Sequence, residues 1–137
     1  MKVGVFIPIR LGSERLPEKS LKSVKGKTVL EHLLNRISAC SLVKSRKDIV
    51  VCTTKREEDD KLTVLVDELD ASSFRGEEND LIKRFYDANK KFRFDIILQV
   101  DGDDPLVNPE YCEAVIEGLL NNNFDVAYTS DLPFGLN

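Results

Sequence analysis

Uninterrupted apolar runs alternate along this chain with segments whose apolar residues recur at helical intervals, and that alternation restricts the fold to the α/β class with a mostly parallel sheet. Residues 2–8, KVGVFIP, read as a strand covered on both faces, since a half-exposed strand would place polar residues at every second position. Thr28 and Glu31 have the spacing of a capping box, and Leu30, Leu33, Leu34 and Ile37 then predict a helix to about residue 40. Residues 48–53 predict a second strand, and Thr54 with Glu57 offers another capping box for a helix to about residue 69. Residues 72–74 read as a short strand, Asn79 as the cap of a third helix bearing Leu81, Ile82, Phe85 and Ala88, and residues 95–100 as a further strand. Asn108 before Pro109 predicts the start of a fourth helix, ended by Asn121 to Asn123, and residues 125–129 predict a last strand.

Right-handed crossovers between such strands put helices on both faces, a three-layer α/β/α arrangement. Ligands of such sheets sit at the carboxyl ends of the strands. The loop after Pro8, the segment after Thr53 and the acidic segment after Val100 are therefore expected along one edge.

At 137 residues the chain suits one domain, taken as 1–137. With 42% hydrophobic and 32% charged residues it is neither a disordered nor a membrane sequence. The first apolar run breaks at Pro8 and Arg10, too early for a signal-peptide core, and Cys40, Cys52 and Cys112 have no metal-like spacing. These features predict a cytoplasmic protein with buried thiols, without nucleic-acid or membrane partners. Charge is unevenly placed: residues 1–27 carry seven Lys or Arg against two Glu, whereas residues 95–113 hold six carboxylates and no basic side chain. One end suits phosphate and the other a cation.

Arg10, Gly12, Ser13, Arg15 and Lys19 lie in the loop RLGSERLPEKS that leaves the first strand. Gly12 lets backbone N–H groups approach phosphate oxygens, Arg grips them bidentately and Lys supplies a mobile charge, although a solvated basic loop has the same composition. The Walker pattern is absent, because Glu18 stands where its Gly belongs and Pro17 intervenes, and there is no GxGxxG. Asp101, Asp103 and Asp104 follow a strand directly, and their mutual repulsion is relieved by a cation such as Mg2+ bridging to phosphate, unless the turn is only shaped by Asp104 before Pro105. In FRGEENDLIKRF, Asp80 and Arg84 are four apart and could form an ion pair on a helix.

These segments, together with TVLEHLLNRI, IVVCTTKREEDD and the closing PFGL, resemble the sugar cytidylyltransferases, most closely the spore coat polysaccharide biosynthesis protein F family. CMP-acylneuraminate synthetases and 3-deoxy-manno-octulosonate cytidylyltransferases are relatives. The resemblance implies a Rossmann-like nucleotidyltransferase fold of GT-A type, in which a sugar hydroxyl attacks the α-phosphorus of CTP and releases pyrophosphate. By position it implies that Arg10, Gly12 and Ser13 bind triphosphate while Arg15 and Lys19 act in catalysis. Asp103, with Asp101 second, would hold Mg2+, and Thr53, Thr54, Arg75, Asp80 and Arg84 would line the nucleotide pocket. Relatives usually have Gly at the place of Glu18, whose carboxylate is expected to repel triphosphate. They also continue past PFGL with strands that complete the sugar site, which implies a chain truncated at its C-terminus and leaves a homodimer open. Two other readings stand beside this one: a GT-A glycosyltransferase using Asp101-Gly102-Asp103 as a DxD metal site, and a non-catalytic nucleotide-binding or assembly module.

Overall fold

The fold is built outward from β1 (Val3–Pro8), whose interior residues are buried on both sides of the sheet. It pairs in parallel with β4 (Ile49–Thr54), Val5 opposite Ile49, and with β6 (Ile96–Gln99), Val3 opposite Ile96. β5 (Ser72–Gly76) joins β4 on its far side, giving the order β5-β4-β1-β6 with every ladder parallel. The computed structural model describes residues 1–12 and 14–132.

Alternation along the strands divides the core. Val5, Ile7, Ile49 and Val51 face α1 (Val29–Ile37), α2 (Asp60–Glu68) and α4 (Pro109–Asn122) through Leu30, Leu33, Leu62, Val66 and Ile116. Phe6, Val50 and Cys52 face α3 (Leu81–Phe92) through Ala88 and Phe85, with Phe94 edge-on to Phe6. Each such side chain, fully withdrawn from water, stabilises by roughly 1.5–3 kcal/mol, more than the few tenths by which ordinary residues differ in helix propensity. Packing therefore decides the layers.

Caps and turns account for the departures from the expected boundaries. Thr28 does cap α1, its hydroxyl accepting from Glu31 N at 3.1 Å, but the helix stops at Ile37 rather than near residue 40. Between β1 and α1 lies a hairpin that the alternation did not announce, β2 (Ser23–Val24) with β3 (Lys27–Thr28), whose turn places Lys25 and Gly26 at φ 50° and 81°. Positive φ at both central residues matches the strand twist of a two-residue hairpin. Thr54 ends β4 instead of capping a helix, and α2 begins six residues later behind a short 3₁₀ turn, Glu57–Asp59. Asp80, not Asn79, caps α3, accepting from Lys83 N at 2.8 Å.

Residues 125–129 are not a strand. They run past β6 and α4 across a groove of about 570 Å³, with Val126 and Tyr128 exposed by 75% and 82%. A strand exists through the backbone bonds of a neighbour, and no described strand pairs with this segment. β6 likewise has a ladder on one side only among the described residues.

Candidate active site

The carboxyl ends of β1, β4, β5 and β6 share one edge of the sheet, as the parallel register requires. A cavity of about 720 Å³ opens there between the loop after β1 and the acidic turn after β6. Arg10, Gly12, Arg15 and Lys19 border it from one side, Asp101 and Asp103 from the other.

The basic loop is tied to the sheet at two points: Ile9 N donates to Cys52 O at 3.2 Å and Leu11 N to Asp59 Oδ1 at 2.8 Å. It also closes on itself, Glu18 N donating to Leu11 O at 3.3 Å. That closure places Glu18 at φ 55° and ψ 30°, a left-handed conformation costing an L side chain roughly 1–2 kcal/mol and a glycine almost nothing. The Glu18 carboxylate turns to Lys61 in an exposed ion pair, which offsets only part of the repulsion expected between Glu18 and a triphosphate. Among the described residues Arg10 and Arg15 make no ion pair, and both are exposed toward the cavity. Ser13 lies outside the described residues.

The acidic turn sits close against β1 because residue 102 is glycine. A Cβ there would lie 2.4 Å from Ile9 Cγ1 and 3.0 Å from Pro8 O. Carboxylate oxygens of Asp101, Asp103 and Asp104 come within 4.8 Å of one another. Two like charges at such separations repel by roughly 1–4 kcal/mol, depending on how much water screens them. Lys19 Nζ, 2.9 Å from Asp103 Oδ2, relieves one of these charges and holds Asp103 below the usual carboxylate range. Asp104 is pushed the other way, first by burial and then by Asp103 and Asp101. An exposed ion pair returns only about 0–1 kcal/mol, so Lys19 alone does not balance the three acids. The oxygen donors fit a hard divalent cation.

The remaining predicted residues that the structure describes do not border this cavity. Thr53 is fully buried, and its hydroxyl has no partner among the described residues. The Thr54 hydroxyl donates to Asp59. Arg75 is directed to the turn after β4, donating to Thr54 O and Arg56 O and pairing with Asp60. Asp80 is a helix cap. Arg84 is buried and donates to Glu77 O at 2.6 Å, Glu78 O at 2.8 Å and Cys52 O at 3.4 Å, so its ion pair with Asp80 does not form. Two residues were missed. Arg56 borders both the main cavity and a smaller hollow of about 360 Å³ formed with Lys55, Gly76, Glu77 and Glu78. Asp59 is buried beneath the loop.

An open parallel sheet with a cationic loop and an acidic turn at its carboxyl edge puts the chain in the α/β class with the fold of the nucleotidyltransferases. The cytidylyltransferase family matches residues 5–136, and the chain belongs to that family. It is 29% identical to the spore coat polysaccharide biosynthesis protein SpsF of Bacillus subtilis, over 96% of this chain and 55% of that protein. It is 32% identical to 3-deoxy-manno-octulosonate cytidylyltransferase 2 of Hydrogenovibrio crunogenus, over 93% and 51%. A solved cytidylyltransferase from Leptospira borgpetersenii superposes with a TM-score of 0.81 at 36% identity, covering 89% of this chain and 50% of the other. The chain spans about half the length of the curated relatives it matches. Family membership favours the cytidylyltransferase reading over a GT-A glycosyltransferase.

Proposed function

We propose that residues 1–137 form the nucleotide-binding unit of a cytidylyltransferase that transfers CMP from CTP to a sugar for surface polysaccharide or glycan synthesis. The observation that carries this reading is the cavity faced by Arg10, Arg15 and Lys19 across from Asp101 and Asp103, within a chain of the cytidylyltransferase family. The names of SpsF and of the 3-deoxy-manno-octulosonate enzyme support a sugar acceptor.

In the proposed reaction a sugar hydroxyl oxygen bonds to the α-phosphorus of CTP. The bond from that phosphorus to the bridging oxygen breaks, and the bridging oxygen leaves with pyrophosphate while the hydroxyl proton passes to solvent. Arg10 and Gly12 hold the triphosphate, and Arg15 and Lys19 neutralise charge on the leaving pyrophosphate, which is the electrostatic work such a transfer needs. Asp103 with Asp101 would hold a magnesium ion, which supplies charge neutralisation on the phosphates. Arg56 borders both the phosphate-facing cavity and the hollow beside Gly76. We place the reaction in the cytoplasm, a reading supported by three buried free thiols. No helix among the described residues is long and apolar enough to cross a membrane.

Titration calorimetry with CTP and magnesium, repeated with ATP, GTP and UTP and with Asp103→Ala, tests the reading. Selective CTP binding that weakens in Asp103→Ala is expected. Absence of binding to every triphosphate overturns it and leaves a structural module.

A further inference from the structure

Asp59 is a fully buried carboxylate, and no Lys, Arg or His forms an ion pair with it among the described residues. A carboxyl group withdrawn from water needs its hydrogen bonds made inside the protein. Its surroundings supply them. One oxygen accepts the Leu11 amide at 2.8 Å and the other accepts the Thr54 hydroxyl. Thr54 Oγ1 in turn accepts the Arg56 amide at 3.2 Å. A single side chain thus joins the loop after β1 to the end of β4 and, through Thr54, to the residue that borders both hollows.

Hydrogen bonds engage both polar groups of the Leu11 backbone. Its N–H is held by Asp59 and its carbonyl by Glu18 N, so the backbone on either side, Arg10 and Gly12, is oriented before any ligand arrives. A Cβ on Gly12 would lie 2.7 Å from Glu58 Oε1, the movable tip of a side chain carried by the same 3₁₀ turn as Asp59. We propose that Asp59 is a positioning residue that sets the start of the loop, Arg10 to Gly12, in its phosphate-facing geometry by binding the Leu11 amide and the Thr54 hydroxyl together. The proposal rests on the nucleotide-binding reading above for what the loop contacts, but not for how the loop is held.

The test is residue-resolved amide hydrogen exchange on the nucleotide-free chain, with CTP affinity measured in parallel, for wild type, Asp59→Ala and Asp59→Asn. In Asp59→Ala, exchange at Leu11 and Arg56 should accelerate about tenfold or more, the effect of losing a buried hydrogen-bond acceptor, while Val5 and Val51 in the core keep their protection. Asp59→Asn, whose amide oxygen still accepts from Leu11, should restore part of the Leu11 protection and part of the affinity. Should Asp59→Ala not fold, the Asn variant carries the test: Leu11 partly protected and Arg56 released supports the role. Unchanged exchange at Leu11, or acceleration spread equally over the core, overturns the positioning role. A wild-type chain that binds no triphosphate instead removes the nucleotide reading, and the exchange pattern still decides whether Asp59 holds the loop.

Discussion

Lys19 and Asp103 sit 2.9 Å apart across the cavity, so the cation proposed for phosphate and the carboxylate proposed for a metal occupy each other. Both side chains are substantially exposed, which limits the pair to about 0.2–1 kcal/mol. Lys19→Met should therefore raise the affinity for manganese alone by about two- to fivefold, read by electron paramagnetic resonance titration. The same variant should bind CTP more weakly, since it has lost the proposed phosphate contact. Unchanged manganese affinity would mean that the pair does not compete with the ion. The cations and acids of this site were legible in the sequence because their chemistry is fixed by residue type and their position by the strand end before them. Arg75 and Arg84 were not, because their partners are backbone carbonyls of Thr54, Arg56, Glu77 and Glu78, which only the folded turns bring within reach. Asp59 was hidden inside the run REEDD, where four acids look alike and one is buried.

Element boundaries follow the same logic of local bonds. The S/T-x-x-E spacing announced α1 correctly at Thr28 and failed at Thr54, the last residue of β4, whose Oγ1 accepts the Arg56 amide and not that of Glu57. At α3 two polar residues, Asn79 and Asp80, could each cap, and the choice fell to the one whose oxygen meets the third amide of the helix. Asp80→Ala should destabilise the chain by about 0.5–2 kcal/mol in urea unfolding, the ordinary cost of a lost cap. Its CTP affinity should stay within about twofold of wild type, because the carboxylate bonds Lys83 N and does not border the main cavity. A large loss of affinity without a loss of stability would return Asp80 to the nucleotide site.

At the scale of the whole molecule, the core and the sheet edge make opposite predictions about reactivity. Burial pushes the Cys52 thiol up to about 12 and the Cys112 thiol up to about 11, and raises Cys40 as well. A raised pKa keeps the thiol protonated, so at about pH 8 the folded chain should resist disulfide-exchange reagents and all three thiols should react only on unfolding. The edge is the reverse case. β6 has a ladder on one side only among the described residues, Ile97 and Leu120 are exposed by 38% and 40%, and residues 125–129 lie across an open groove without pairing. A bare edge beside apolar surface is a template for another chain. Sedimentation velocity should therefore find concentration-dependent association of the 137-residue chain, and Ile97→Lys, which puts a charge on the exposed face of that edge strand, should shift the distribution to monomer. Because Ile97 lies away from the phosphate-facing cavity, CTP affinity should survive the change. Association unaltered by Ile97→Lys would place the contact elsewhere, and a wild-type chain monomeric at every concentration would mean that the β6 edge recruits no second copy.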